Sequence, residues 1–149
     1  MEKDIFKFTK ALKLCAPTTR EKLKEAEERI GIIFPTQYKD FMLYSNGAEG
    51  FVGLGKSYLQ VWDIEEVISA GEFNATDVTL CLDNESPPVV CFAANGIGSY
   101  YAFDKRTEDS SIIGFESISI IRDGYESCGR TFFEFLQYLF DAEEEVVSA

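Results

Sequence analysis

Gly50-Phe51-Val52-Gly53-Leu54-Gly55-Lys56-Ser57 satisfies G-x-x-x-x-G-K-[ST], the pattern in which backbone N–H groups and a lysine cradle phosphate. That chemistry needs a buried strand before the loop and a helix after it, because a helix N-terminus aims its free N–H groups at the anion. The neighbours read otherwise. Tyr38 to Ser45 is helical in pattern and closes on Asn46-Gly47, while Tyr58-Leu59-Gln60-Val61-Trp62 is aromatic and β-like. Val78-Thr79-Leu80-Cys81-Leu82-Asp83 imitates an apolar strand ending in a magnesium-binding Asp, but many β proteins offer such a run. The segment is read as a glycine-rich turn feeding a strand, and a nucleotide-binding enzyme is kept only as an outlying alternative.

Histidine is absent, which removes Ser-His-Asp and Cys-His mechanisms and most zinc sites. Cys15, Cys81, Cys91 and Cys128 are widely spaced, with no C-x-x-C, and their neighbours are mostly apolar. Buried free thiols are expected rather than a disulfide framework. Carboxylates are abundant, and two of them facing each other across a cleft could hydrolyse a glycoside, but spacing along the chain does not supply that distance. A solvated acidic surface is the plainer reading, and Glu25, Glu27 and Glu28 read as an exposed helix face. Trp62 reads as core. Asp83, Asn84 and Glu85, then Asp104, Glu108 and Asp109, fall in predicted loops, where binding residues tend to sit on a rigid scaffold. Together with Glu49 they are the candidate partner-binding residues. No catalytic, cofactor-binding or metal-binding residue is assigned.

The elements that would hold these residues begin with helices. Phe6, Phe8 and Leu12 suggest a short helix that stops before Pro17. Thr18-x-x-Glu21 is a capping box, and Leu23, Ala26 and Ile30 follow at helical spacing up to Gly31. Pro35 can open a second helix, with Tyr38, Phe41, Met42 and Ser45 on one face. Strands are then predicted at Tyr58 to Trp62, Val78 to Leu82, Val89 to Ala93 and around Ile112, Ile113 and Phe115. Asp63-x-x-Glu66 caps a short helix between them. Asn95-Gly96 marks a tight turn, with Tyr100 to Phe103 as the hairpin partner. Thr131-x-x-Glu134 opens a last helix with an apolar stripe of Phe132, Phe135, Leu136, Leu139 and Phe140. The acidic tail from Asp141 is expected to fray. The fold class that follows is α+β, a central, largely antiparallel sheet flanked by N-terminal helices and a C-terminal helix.

Charge narrows the partners. The 149 residues, expected to form one domain over 1–149, carry 14 basic and 26 acidic side chains, a net charge of −12. Such a field repels nucleic acid and anionic membranes and attracts a basic protein. The chain opens with no basic-then-apolar stretch and holds no apolar run near the ~18 residues of a membrane span, so a cytoplasmic protein is expected.

Glu28-Arg29-Ile30-Gly31-Ile32-Ile33-Phe34-Pro35-Thr36-Gln37-Tyr38-Lys39-Asp40-Phe41, followed by Ser45-Asn46-Gly47, resembles the opening signature of the SUKH superfamily: an acid, a Gly, an apolar-Pro pair, a Tyr and a Phe, then Asn-Gly. Phe34 stands where the family commonly has Leu. Gly47 to Gly53 with Leu59-Gln60-Val61-Trp62, Phe92 to Gly98 with Tyr101-Ala102-Phe103-Asp104, and the Phe132 to Leu139 helix are similar to later family motifs. The likeness spans roughly residues 20–140 and makes the phosphate-loop match a coincidence. It implies an α+β domain of the superfamily that includes the Smi/Knr cell-wall-assembly regulators and many bacterial single-domain immunity proteins. The implied function is that of an antitoxin that binds a cognate toxin, typically a basic nuclease, without chemistry of its own. The implied alternative is a regulatory scaffold related to cell-wall assembly. No cofactor or small-molecule ligand is implied.

Overall fold

The computed structural model describes residues 8, 10, 12–52, 57–73, 89–104, 111–116 and 125–148. Among them run β1 (Lys13–Leu14), α1 (Arg20–Ile30), α2 (Thr36–Tyr44), β2 (Ala48–Val52), β3 (Ser57–Val61), α3 (Ile64–Phe73), β4 (Val89–Ala94), β5 (Ser99–Asp104), β6 (Ile112–Glu116), β7 (Glu126–Gly129) and α4 (Phe132–Ser148). The strands form a seven-stranded sheet in chain order, and every neighbouring pair is antiparallel. This is the α+β class with the antiparallel sheet expected. The predicted strand at Val78 to Leu82 lies outside the described residues.

The helix ends follow local chemistry. Thr19 is the N-cap of α1, its hydroxyl accepting the Lys22 N–H at 3.1 Å. The expected box at Thr18 is therefore one residue early, because the Thr18 N–H is already donated to the Met42 carbonyl at 3.1 Å. Gly31 ends α1 at the predicted stop, in the left-handed conformation with φ 84°. Pro35 is the N-cap of α2 rather than its first helical residue. Ser45, expected on the face of that helix, instead leaves it in extended conformation and is buried. Its hydroxyl accepts the Cys15 N–H at 2.8 Å and donates to the Gly47 carbonyl at 2.5 Å, tying β1 to the α2–β2 corner. Asp63 caps α3 as predicted, accepting the Glu66 N–H at 2.9 Å. Thr131 caps α4 through the Glu134 N–H at 3.1 Å, and the Glu134 carboxylate returns to the Arg130 N–H at 2.8 Å.

Glu27 departs from the exposed face read for it. Its carboxylate accepts the Phe34 N–H at 2.8 Å and lies 3.3 Å from the Lys39 ammonium, with its side chain 13% exposed. It latches the end of α1 to the start of α2.

The core follows strand parity and helix stripes. Leu23, Ala26, Tyr38, Phe41 and Met42 of α1 and α2, and Phe132, Phe135 and Leu136 of α4, pack on the sheet face made by Leu59, Val61, Val90, Phe92 and Phe103. Phe92 and Phe103 stack at its centre, 4.3 Å between ring centroids. Two regions differ from expectation. Phe8 is helical and packs on Phe140, but by Lys13 the chain has already entered an edge strand, where a helix up to Pro17 was expected. At the other end α4 continues through Ser148, past the point where fraying was expected.

Candidate functional site

Alternation along β2 and β3 sorts their side chains. Ala48, Val52, Leu59 and Val61 join the helix-side core, so Glu49, Phe51, Tyr58 and Gln60 fall on the outer face. There the Tyr58 hydroxyl donates to the Glu49 carboxylate at 2.5 Å. That bond, followed by burial, pushes the Tyr58 phenol above its ordinary value, because the carboxylate favours the protonated hydroxyl. The Phe51 ring packs on Tyr58 at 5.2 Å, and Phe51 is nevertheless 59% exposed.

The β4–β5 turn closes over the same ring. The Asn95 side-chain carbonyl accepts the N–H groups of Ile97 and Ser99 at 3.0 and 2.9 Å, while the Asn95 N–H donates to the Ser99 carbonyl. Gly96 has φ 78°, and a Cβ there would stand 3.2 Å from the Tyr58 ring. This pinned turn leaves Ile97 88% exposed at its tip. Phe51, Tyr58 and Ile97 thus make one apolar rim beside a fixed carboxylate. Further along the outer face, Val89, Cys91, Ala102, Ile113 and Phe115 are buried in a second, smaller cluster. Trp62 touches both clusters, as a core residue would, and its ring meets Tyr100 edge-on.

The candidate binding residues are spread out. Glu49 lies on the open part of the outer face, with Lys13 opposite it across the β1–β2 pair. Asp104 is the last residue of β5 rather than a loop residue, pairs with Val89 and is 4% exposed. Glu49 shares a row with Gln60, Ala94 and Tyr100, so Asp104 lies ~13 Å further along the strands and ~14 Å across them. They do not share a patch. Asp83, Asn84, Glu85, Glu108 and Asp109 lie outside the described residues. Phe51, Tyr58 and Ile97 were missed. The signal available was an apolar residue directly after Asn-Gly at a predicted turn, where nothing in a tight loop can bury it.

The family model for the SMI1 / KNR4 family (SUKH-1) matches residues 17–138. The chain belongs to that family. An uncharacterized protein, YnaB of Bacillus subtilis (strain 168), is 30% identical over 56 residues, a match that spans 38% of this chain and 35% of that protein.

In this SUKH-1 chain the phosphate-loop pattern falls on a hairpin. β2 and β3 pair antiparallel through Val52↔Ser57, and Ser57 opens a strand where a phosphate loop would open a helix. Gly53 to Lys56 lie outside the described residues. Among the described residues no group of His, Cys, Asp and Glu could hold a metal ion, and no helix is long and apolar enough to cross a membrane.

Cys15, Cys91 and Cys128 form no disulfide, and Cys81 lies outside the described residues. Cys91 and Cys128 are buried, as expected, but Cys15 is exposed beside the edge strand. Burial, with the Glu126 charge behind it, pushes the Cys128 thiol up to about 12. Elsewhere an open groove of about 480 Å³ runs between the end of α1 and the 31–33 link, lined by Lys24, Glu27, Glu28, Gly31, Ile32 and Ile33.

Proposed function

We propose that this chain is an immunity-type SUKH-1 protein: it binds a cognate toxin, basic in charge and of the nuclease kind, and neutralises it by occupying the toxin's working surface. The observation that carries the reading is a net charge of −12 on a chain matched to this family over residues 17–138. A nuclease collects phosphates in a basic groove, and an acidic protein of complementary shape is drawn to that groove and blocks it. Inhibition is then a binding event, with no reaction on the inhibitor's side. The protein acts in the cytoplasm.

The test is recovery of the tagged chain from its native organism, identification of what co-purifies, and assay of that protein with and without the chain. A basic protein whose toxic activity is suppressed supports the reading. A partner without toxic activity, whose loss alters the cell wall, would place the chain with the regulatory scaffolds of the family instead.

A further inference from the structure

We infer that the outer face of the β2–β3 hairpin, together with the β4–β5 turn, is a receptor for an arginine side chain flanked by apolar residues on a partner protein. The inference rests on the reading of the chain as a binder of basic proteins, and it names the face and the chemistry recognised. Four groups build it: the Glu49 carboxylate, the Tyr58 and Phe51 rings, and the Ile97 side chain.

Glu49 is preorganised. The Tyr58 hydroxyl fixes one carboxylate oxygen at 2.5 Å. Among the described residues no cation pairs with Glu49, although Lys13 faces it across the strand pair. A carboxylate that accepts from a single hydroxyl has lone pairs left for a further donor. Beside it, Phe51 and Tyr58 offer ring faces, and a guanidinium can stack on a ring while donating to a carboxylate. Lysine satisfies the charge but neither the stacking nor the forked geometry.

The apolar flanks follow from exposure. Phe51, near the end of β2, at 59% and Ile97, in the β4–β5 turn, at 88% are large apolar side chains at one end of the sheet. Gly96 lies close over the Tyr58 ring, where an added Cβ would stand at 3.2 Å, and the Asn95 bonds hold the turn in place there. A rigid, partly apolar rim around a desolvatable charge pair is the arrangement by which binding surfaces gain most from few residues. The chain's net charge of −12 favours a cationic occupant over any other.

The probe is acetyl-Leu-Arg-Leu-amide, titrated into the isotope-labelled full chain and followed by amide chemical shifts. Its control is the same peptide with citrulline, which keeps the shape and removes the charge. Saturable shifts at residues 49–51, 58–60 and 95–98, with a Kd on the order of 1–10 mM, are expected for so small a ligand. The citrulline peptide should bind about tenfold more weakly, as should the arginine peptide to Glu49→Gln or Phe51→Ala. The Ile33→Ser variant, altered in the distant groove, should bind as the parent does. Shifts scattered over the α1 carboxylates, an equal response to citrulline, or no saturable response would overturn the site. The titration needs no toxin. A peptide that fails to bind refutes this face and leaves neutralisation through another open, whereas a non-toxic partner refutes the toxin reading and leaves this face standing.

Discussion

The Glu27 carboxylate accepts the backbone N–H of Phe34 at 2.8 Å, seven residues on, and so closes the link between α1 and α2. Gly31 turns the chain left-handed between them, and Lys39 approaches the same carboxylate from α2. Glu27, one residue before the family-like run that opens at Glu28, thus joins Gly31 and Phe34 in one physical device: a helix end, a reversal and a latch. Loss of the acid leaves the Phe34 N–H without its acceptor. Glu27→Ala should cost about 1.5–3 kcal/mol, the range for a hydrogen bond to a charged group. Glu25→Ala, on the same helix but with only surface ion pairs, should cost far less, because solvent screens such pairs. Denaturant unfolding of both variants measures the difference.

What could be read from sequence was what local chemistry decides. The caps at Asp63 and Thr131 and the left-handed Gly31 need only neighbours within a few residues. The strands β1 and β7 were not legible, because Lys13–Leu14 has no alternation to detect and β7 buries only Cys128. The outer-face rim was illegible for a different reason. Phe51 and Ile97 are core-type residues, and only strand parity and turn geometry place them outside. Glu49, a candidate taken from the glycine-rich segment, falls on this face, and its Tyr58 partner depends on a register that no single sequence displays.

Two glycines should respond differently to alanine. Gly47 has φ 90°, and a Cβ there would lie 2.6 Å from the Val61 carbonyl oxygen. Gly31 has φ 84° with nothing within 4 Å of the added carbon. Gly31→Ala should cost only the left-handed penalty of about 1–2 kcal/mol. Gly47→Ala adds a backbone collision and should cost more, about 3 kcal/mol or above. Thermal unfolding of the pair provides the comparison.

The thiols should separate by access and by pH. Cys15 should react promptly with a thiol reagent in the folded protein, and Cys91 and Cys128 only after unfolding. Burial raises Cys128 from 9.0 and Tyr101 from 10.0, each to about 12. The folded state therefore retains protons that the unfolded chain gives up, so stability should fall as pH rises from 9.0 towards about 12. Time-resolved labelling with mass spectrometry tests the first statement, and unfolding midpoints across alkaline pH test the second. A midpoint that holds steady over that interval contradicts the burial of these groups.

If attraction between opposite charges brings the partner in, its association rate should fall as salt shortens the screening length to ~8 Å and below. Dissociation should change much less, because packed central contacts govern it. Double reversals Asp83→Lys with Glu85→Lys, or Glu108→Lys with Asp109→Lys, should slow association without unfolding the protein. Reversals of Glu25 and Glu28 on α1 should do less. Stopped-flow mixing at several salt concentrations, with circular dichroism as the folding control, gives both rates. A salt-independent association rate removes charge steering from the mechanism.

The central claim is neutralisation by occupancy, and a titration of the co-purified partner's toxic activity tests it most directly. With the partner held well above the dissociation constant, added chain should lower activity in a straight line that reaches zero at about one equivalent, and the partner should be recovered intact after denaturing separation. Full activity in the presence of excess chain would contradict the account. So would inactivation by far less than one equivalent, because that would mean the chain turns over and does chemistry.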